Sequence, residues 1–321
     1  MPRLLPYNDE SIREGARRIA GGGVVAFATE TVYGLGGDTF NPAAIARIYD
    51  LKQRPWNNPL IAHVLDTIDA QLVVQGWNAS CNRLAARFWP GPLTLILPRH
   101  NSVPTEATGG LETLAVRSPR HPLARSFLYA VGGPVSAPSA NRSGAVSPTC
   151  AQHVAADFPE EADLLILDGG SCSLGIESTV LDMTPERPVV RRLGTVSVEA
   201  IQAVIGAVHI HESTQQGASP GTQARHYAPT TPTRLADGEE IAALGDEVAA
   251  NAVVLCFEGS AVPAGALAVR LPLDADAYAR GLYDALRRAD AAGRGTILIE
   301  RPKQATGIWA AIHDRLKRAC A

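Results

Sequence analysis

Gly21-Gly22-Gly23-Val24-Val25-Ala26-Phe27-Ala28 is the stretch on which the fold turns. Three consecutive glycines suggest a phosphate loop, but such a loop runs from a strand, through glycine, into a helix. Here the order is reversed. Upstream, residues 8–20 read as an amphipathic helix with Ile12, Ala16 and Ile19 on one face. Downstream, Val24 to Ala28 is an apolar run of strand length. The glycines are therefore a helix stop and a turn, and the chain opens as helix, turn, buried strand.

Working outward, short apolar runs recur at Leu60 to Val64, Leu93 to Leu97, Thr113 to Val116, Leu164 to Leu167 and Thr179 to Asp182. They alternate with helical stretches at Ile68 to Val74 and Ala79 to Phe88, which is an α/β pattern. The spacing is irregular, so a simple doubly wound order does not follow. Asn41-Pro42 starts another helix, with Asn as cap and Pro in the first turn; it runs to about Lys52, before Pro55. Ile45, Ile48 and Tyr49 form its buried stripe. Lys52 lies four residues after Ile48 and extends that stripe, yet a lysine near a helix C-terminus can also snorkel outward. Both readings stand from the helix alone.

Residues 211–234 are polar and rich in breakers, and read as a linker between a first domain, 1–210, and a second, 235–321. The second is a smaller α/β unit, with strands at Ala252 to Phe257 and Gly295 to Glu300 and helices at about Ala275 to Ala291 and Ile308 to Ala319.

With 321 residues, 46% of them hydrophobic and 19% charged, the chain is expected to be globular and to hold two domains. A net charge of -3 argues against a bulk electrostatic grip on nucleic acid. The five cysteines are odd in number and lack C-x-x-C spacing, which speaks against disulfides and zinc and for a reducing compartment. No apolar run approaches the roughly 20 residues of a membrane span, and the N-terminus is too interrupted for a signal-peptide core. A cytoplasmic location is expected.

Four clusters carry residues suited to chemistry. Thr29-Glu30-Thr31-Val32-Tyr33-Gly34-Leu35-Gly36 puts hydroxyls and glycines at a strand end, where a polar ligand can approach closely; a plain turn would look the same. Lys52-Gln53-Arg54-Pro55-Trp56-Asn57-Asn58-Pro59-Leu60 offers a point charge and a bidentate fork for polyphosphate, or a solvated basic turn. Ser136-Ala137-Pro138-Ser139-Ala140-Asn141-Arg142-Ser143-Gly144 is a small-residue turn whose Ser139 and Asn141 could meet phosphate or a metal-bound water. Gly175-Ile176-Glu177-Ser178-Thr179-Val180-Leu181-Asp182 brings a hydroxyl pair to a strand entry. Arg117 ends a strand and suits a carboxylate or the surface. His209 and His211 could share one face of a strand, but without evident partners exposed histidines are the simpler reading. The phosphate-loop, dinucleotide, zinc-protease and hydrolase-elbow motifs are absent.

Together these clusters resemble the YrdC-type threonylcarbamoyl-AMP synthases in their long, two-domain form. The resemblance rests on T-x-T-x-Y-G-L (Thr29 to Leu35), K-x-R-P followed by N-P-L (Lys52 to Pro55, Asn58 to Leu60), W-P-G-P-L-T (Trp89 to Thr94), S-A-P-S-A-N-x-S-G (Ser136 to Gly144) and E-S-T-V (Glu177 to Val180). It continues through S-P-G and H-Y-A-P (Ser219 to Gly221, His226 to Pro229) into a final I-x-D-R-L-x-R-A helix, Ile312 to Ala319. After S-P-G, relatives carry a Met with basic or aromatic residues, where this chain has Thr222-Gln223-Ala224.

The resemblance implies a twisted, open α/β sheet around a basic concave cleft, a small Rossmann-like second domain and a linker that folds over the site. It implies that L-threonine and bicarbonate form a carbamate, that the carbamate attacks ATP, and that pyrophosphate leaves with help from Mg²⁺. The product would pass to a transferase that modifies the tRNA adenosine beside the anticodon, with at most a weak RNA contact. Catalysis would fall to Lys52, Arg54, Ser139 and Asn141. The ATP site would add Asn58, Thr113, Ser147, Tyr227 and Arg192, the last preferred over Arg191 by counting back from Gly194. The threonine pocket would use Thr31, His63, Arg117, the Ala137 backbone and Ser178. No residue is implied as the metal's holder.

Two other functions compete. An RNA-binding or ribosome-maturation factor could use the same cleft, though aromatic residues are only 5%; salt-dependent RNA binding without ATP turnover would mark it. Carbamoyl transfer from carbamoyl phosphate, as in hydrogenase maturation, goes with zinc-finger cysteine pairs that this chain lacks.

Overall fold

The computed structural model describes residues 1–211 and 225–321. The expectations placed on Ser219 to Gly221 and Thr222 to Ala224 fall outside the described residues. Through the first domain the elements run β1 (Arg3–Pro6), α1 (Asp9–Ala20), β2 (Val25–Phe27), β3 (Gly34–Asp38), α2 (Pro42–Lys52), β4 (Ile61–His63), α3 (Thr67–Val73) and α4 (Ala79–Phe88). They continue with β5 (Leu93–Pro98), β6 (Thr113–Arg117), α5 (Pro122–Val131), β7 (Val135–Ser136), α6 (Ala151–Asp157), β8 (Leu165–Asp168), β9 (Thr179–Asp182), β10 (Val189–Arg192), α7 (Val198–Ile205) and β11 (His209–Ile210).

The glycine run behaves as read. The Asn8 side chain caps α1 by accepting from Ser11 N–H. Gly21 and Gly22 then donate to the carbonyls of Arg17 and Ile19, and Gly22 takes φ 76, left-handed backbone that favours glycine. Asn41 caps α2 through Ala43 and Ala44, and Gln53 ends it at φ 52. Lys52 points inward and is 1% exposed, which settles its two readings.

Among the described residues eleven strands join one mixed sheet, in the order β1-β8-β2-β3-β7-β4-β6-β5-β9-β10-β11. Its centre alternates parallel and antiparallel pairs: β4 lies parallel to β6 and antiparallel to β7, and β5 is antiparallel to β6 and parallel to β9. The irregular spacing of the strands reflects this mixture. One apolar core, including Ile45, Ile48, Leu60, Leu95 and Val116, packs under the sheet's centre, and a second, around Phe27, Phe127 and Leu167, packs α1 and α5 on β2 and β8. Each such side chain contributes about 1.5–3 kcal/mol when fully buried.

The second unit is β12 (Thr233–Ala236), α8 (Gly238–Ala242), α9 (Asp246–Ala250), β13 (Ala252–Phe257), β14 (Leu267–Leu271), α10 (Ala275–Asp290), β15 (Thr296–Glu300) and α11 (Ile308–Ala319). Its four strands are parallel, in the order β12-β15-β13-β14. β13 is buried along its whole length, as a strand covered on both faces should be. β12 takes up Thr233 and Arg234, which the sequence reading leaves in the linker.

The two units share a core. Val32, Val146 and Ile176 of the first pack with Tyr227 and with Tyr278, Leu282 and Tyr283 of α10. Beside that core Arg287 holds Asp157 at 2.6 and 2.9 Å. Among the described residues no helix is long and apolar enough to cross a membrane.

Candidate active site

The fold gathers the scattered clusters by backbone pairing. Leu35 N–H donates to Pro138 O and Ala140 N–H to Tyr33 O, so the Thr29–Gly36 and Ser136–Gly144 segments lie side by side. Ser143 N–H donates to Lys52 O, which brings in the end of α2. His63 and Arg117 end β4 and β6 and stand opposite one another in the parallel ladder. Parallel strands bind ligands beyond their carboxyl ends, and a cavity of about 50 Å³ lies there.

Nine of the fourteen site residues named from the sequence line that cavity: Arg54, Ser139, Arg192 and Tyr227 of the nucleotide set, and Thr31, His63, Arg117, Ala137 and Ser178 of the threonine set. Four more touch the lining from behind. Lys52 Nζ donates to the carbonyls of Ser139 (2.6 Å) and Asn141. Asn141 Oδ1 accepts from Ser139 Oγ. Asn58 Oδ1 accepts from Arg54 Nη2 at 2.6 Å. Ser147 Oγ donates to Glu177 Oε1 at 2.7 Å. Thr113 is the exception: it starts β6, four residues before Arg117, so it sits roughly 13 Å up the strand from the cavity.

Four cations are buried here: Lys52, Arg54, Arg117 and Arg192. Burial drives the Lys52 ammonium well below its ordinary range, and Arg54 beside it adds to the effect. Burial also lowers Arg54, to about 10. Arg117 lies 2.6 Å from Glu30 in a buried ion pair, without the alignment of a hydrogen bond, and donates to Thr31 Oγ1 and Gly91 O. Arg192 donates to both the carbonyl and the hydroxyl of Ser178 at 3.1 Å. Arg191 instead pairs with Asp182 at 2.8 Å, so Arg192 is the arginine that faces the cavity. Burial, then the Arg117 charge, holds His63 at about 3, and it is neutral near pH 7.

Tyr227 closes one side. It sits at φ 59, which costs a bulky residue on the order of 1–3 kcal/mol. Hydrogen bonds from His226 N–H to Arg318 O and from Ala228 N–H to Gly144 O fix the turn, and the ring stacks on Tyr283 at 5.5 Å beneath the Arg315 guanidinium. Asn58 Nδ2, His226 Nδ1 and the Tyr227 hydroxyl are buried and have no hydrogen-bond partner among the described residues. Orphaned polar atoms cost about 1–3 kcal/mol each; their clustering at one cavity suits a polar ligand.

No group of three or more metal-ligating side chains occurs among the described residues. Glu177 is the carboxylate of the cavity lining, and Ser147, Tyr283 and Arg315 occupy its oxygens. Ser139 lines the cavity, and its hydroxyl donates to Asn141 Oδ1 behind it. His226, Glu30 and Glu177 have places at the site that the sequence reading does not assign. All three stand inside the quoted motifs, one residue from assigned neighbours.

A mixed sheet with a buried cationic cavity, docked on a small parallel-sheet unit, defines a two-domain α/β enzyme. A family model described as "Telomere recombination" matches residues 17–194, and one described as "Threonylcarbamoyl-AMP synthase, C-terminal domain" matches residues 196–321. The chain is 39% identical to the threonylcarbamoyl-AMP synthase of Pyrococcus abyssi, over 96% of this chain and 93% of that one. It is also 39% identical to that of Bacillus subtilis, over 98% and 94%. A crystal structure of P. abyssi Sua5 complexed with L-threonine matches with a TM-score of 0.90 and 37% identity, covering 100% of this chain and 97% of that one. The chain belongs to the threonylcarbamoyl-AMP synthase family.

Proposed function

We propose that the chain condenses L-threonine with bicarbonate and adenylates the resulting carbamate with ATP. The threonine amine and bicarbonate give a carbamate and water. A carbamate oxygen then attacks the α-phosphorus, the bond to the bridging oxygen of the β-phosphate breaks, and pyrophosphate leaves with its electron pair. The product is threonylcarbamoyl-AMP, suited to modification of tRNA adenosine beside the anticodon by a transferase.

The observation that carries this reading is the convergence of four buried cations and several hydroxyls on one cavity. Preorganised cations stabilise the charge that grows on phosphoryl oxygens. An ammonium has three donors; Lys52 spends two on the Ser139 and Asn141 carbonyls, so one remains for phosphate. Lys52 thereby shapes the Ser139–Asn141 turn as well as countering charge. Arg117 and Ser178 line the cavity where a threonine carboxylate and hydroxyl would be held. Mg²⁺ would enter with ATP as substrate and neutralise the phosphates; no side chain is assigned to hold it, since Asn141 Oδ1 accepts from Ser139 Oγ and the Ser139 and Asn141 carbonyls accept from Lys52.

Small-molecule pockets occupy several hundred cubic ångströms, whereas this cavity measures about 50 Å³. His226 and Tyr227 are the linker residues in its lining, and their displacement on ATP binding would give this described end of the linker a lid's role.

The test is incubation with ATP, bicarbonate and threonine, omitting one at a time. Pyrophosphate should appear only with all three, and release without threonine would overturn the reading. Lys52→Ala and Arg54→Ala should each lower the rate by more than about 10-fold, the scale of a lost transition-state donor.

A further inference from the structure

We propose that Glu177 is a positioning residue through which the second domain sets the nucleotide end of the cavity; the idea rests on the functional reading above. Glu177 lines the cavity, yet it faces a site built to hold phosphates. An unpaired carboxylate there would repel ATP. Its two oxygens are used differently. Oε1 accepts from Ser147 Oγ at 2.7 Å, within the first domain. Oε2 accepts from Tyr283 Oη at 2.8 Å and from Arg315 Nε at 3.0 Å, both from the second. Arg315 is 1% exposed and Tyr283 fully buried, so neither bond is weakened by water.

The arrangement joins three functions in one carboxylate. Arg315 cancels the Glu177 charge, so the cavity keeps its cationic character. The pair then fixes the Ser147 hydroxyl, whose proton is committed to Oε1. The backbone that carries Glu177 also sets Ser178, the group that Arg192 grips through its carbonyl and hydroxyl. α10 and α11 thus reach the substrates through Glu177, without contacting them. The same two residues, Arg315 and Tyr283, flank the Tyr227 ring, so the cavity wall and its cover share one anchor.

The physical balance favours a strong coupling. Burial alone would push the Glu177 carboxyl up, but Arg315 and Arg192, with the two hydroxyls, hold it down at about 2. It is therefore ionised in the intact protein; removal of Arg315 takes away its largest source of stabilisation and leaves a buried carboxyl that repels the triphosphate wherever it stays ionised.

The experiment compares steady-state constants for ATP and threonine in four full-length variants. Tyr283→Phe removes one donor and no volume. We expect its KM for ATP to rise about 10-fold with kcat within about 2-fold of wild type, together with a Tm lower by a few degrees, as the loss of one buried hydrogen bond to a charged group requires. Arg315→Met should raise the ATP KM further, and Glu177→Gln/Arg315→Met should recover much of that loss, because the repelling charge is gone. Glu177→Gln alone should resemble Tyr283→Phe. A structural role without positioning would lower Tm and leave KM intact. An unchanged ATP KM in Tyr283→Phe overturns the proposal even if Arg315→Met fails to fold, and so does a double variant no better than a folded Arg315→Met. Wild-type protein without threonine-dependent pyrophosphate release would instead refute the functional reading, and the proposal with it.

Discussion

His63 and His226 are both buried, and both are held at about 3. Burial is the main cause in each; Arg117 faces His63, while Arg54, Lys52 and Arg192 oppose a charge on His226 and Glu177 only partly compensates. In the unfolded chain these rings titrate near 6.5. The unfolded state therefore binds more protons below pH 6.5, and stability falls as the pH drops from there toward 3. Each ring costs up to about 1.4 kcal/mol per pH unit in that window. Glu177 shifts in the same direction in a lower window: its stabilisation is full above its ordinary carboxyl range and is lost as the pH falls from there toward about 2. Between pH 6.5 and 5 the histidines thus dominate among these groups. Calorimetry should show Tm dropping by several degrees over that interval, and His63→Gln should make the slope shallower, the rest coming from His226 and from His121 and His153, which burial also lowers. A Tm that stays flat from pH 7 to 5 would contradict these neutral, buried rings.

β3 shows where sequence and structure part. The sequence reading places no strand on Gly34-Leu35-Gly36-Gly37-Asp38, because glycine has poor strand propensity and alternation cannot be seen without side chains. The neighbours explain the glycines. A Cβ on Gly36 would lie 2.6 Å from Val135 Cγ1 and 2.8 Å from Phe27 Cε1, whereas one on Gly37 meets Ala44 Cβ and Ile48 Cδ1 at 3.2 Å. Gly36→Ala should therefore cost about 1–3 kcal/mol by overpacking, and Gly37→Ala clearly less; urea unfolding that ranks them the other way would refute this account. Strands with apolar, β-branched runs, such as Leu93 to Leu97 and Ala252 to Phe257, were legible because their pattern is carried by their own residues. The two-residue strands β7 and β11 and the five-residue helices α8 and α9 are too short to show a period. The site divides in the same way. Its cations and hydroxyls stand out within single segments, and the family pattern adds Arg192 and Tyr227. The roles of Glu30 and Glu177 depend on partners such as Arg117 and Arg315, 87 and 138 positions away, and no local pattern reports those.

At the scale of the whole molecule, the two domains meet through a joint that leaves little room. Gly175, two residues before Glu177, runs against α10: an added Cβ would lie 2.4 Å from Arg280 Cα and 2.6 Å from the carbonyls of Ala279 and Arg280. These are backbone atoms, so no rotamer change relieves the clash. Gly175 also takes φ 78, where a side chain is strained in any case. Nearby, Arg287 ties Asp157 and the Val146 carbonyl to α10, and Val32, Val146 and Ile176 complete the shared core. Domains that share a core and buried ion pairs should unfold together, so wild-type calorimetry should give one transition. Gly175→Val must push α10 away or distort the Ile176–Ser178 backbone. Either response separates Tyr283 and Arg315 from Glu177. The variant should show a lower Tm, two resolved transitions, and a loss of ATP affinity at temperatures where both domains remain folded. Arg287→Ala, which weakens the same joint without touching that backbone, should lower Tm while leaving ATP affinity closer to wild type. If Gly175→Val keeps a single transition at the wild-type Tm, the joint is looser than its geometry requires.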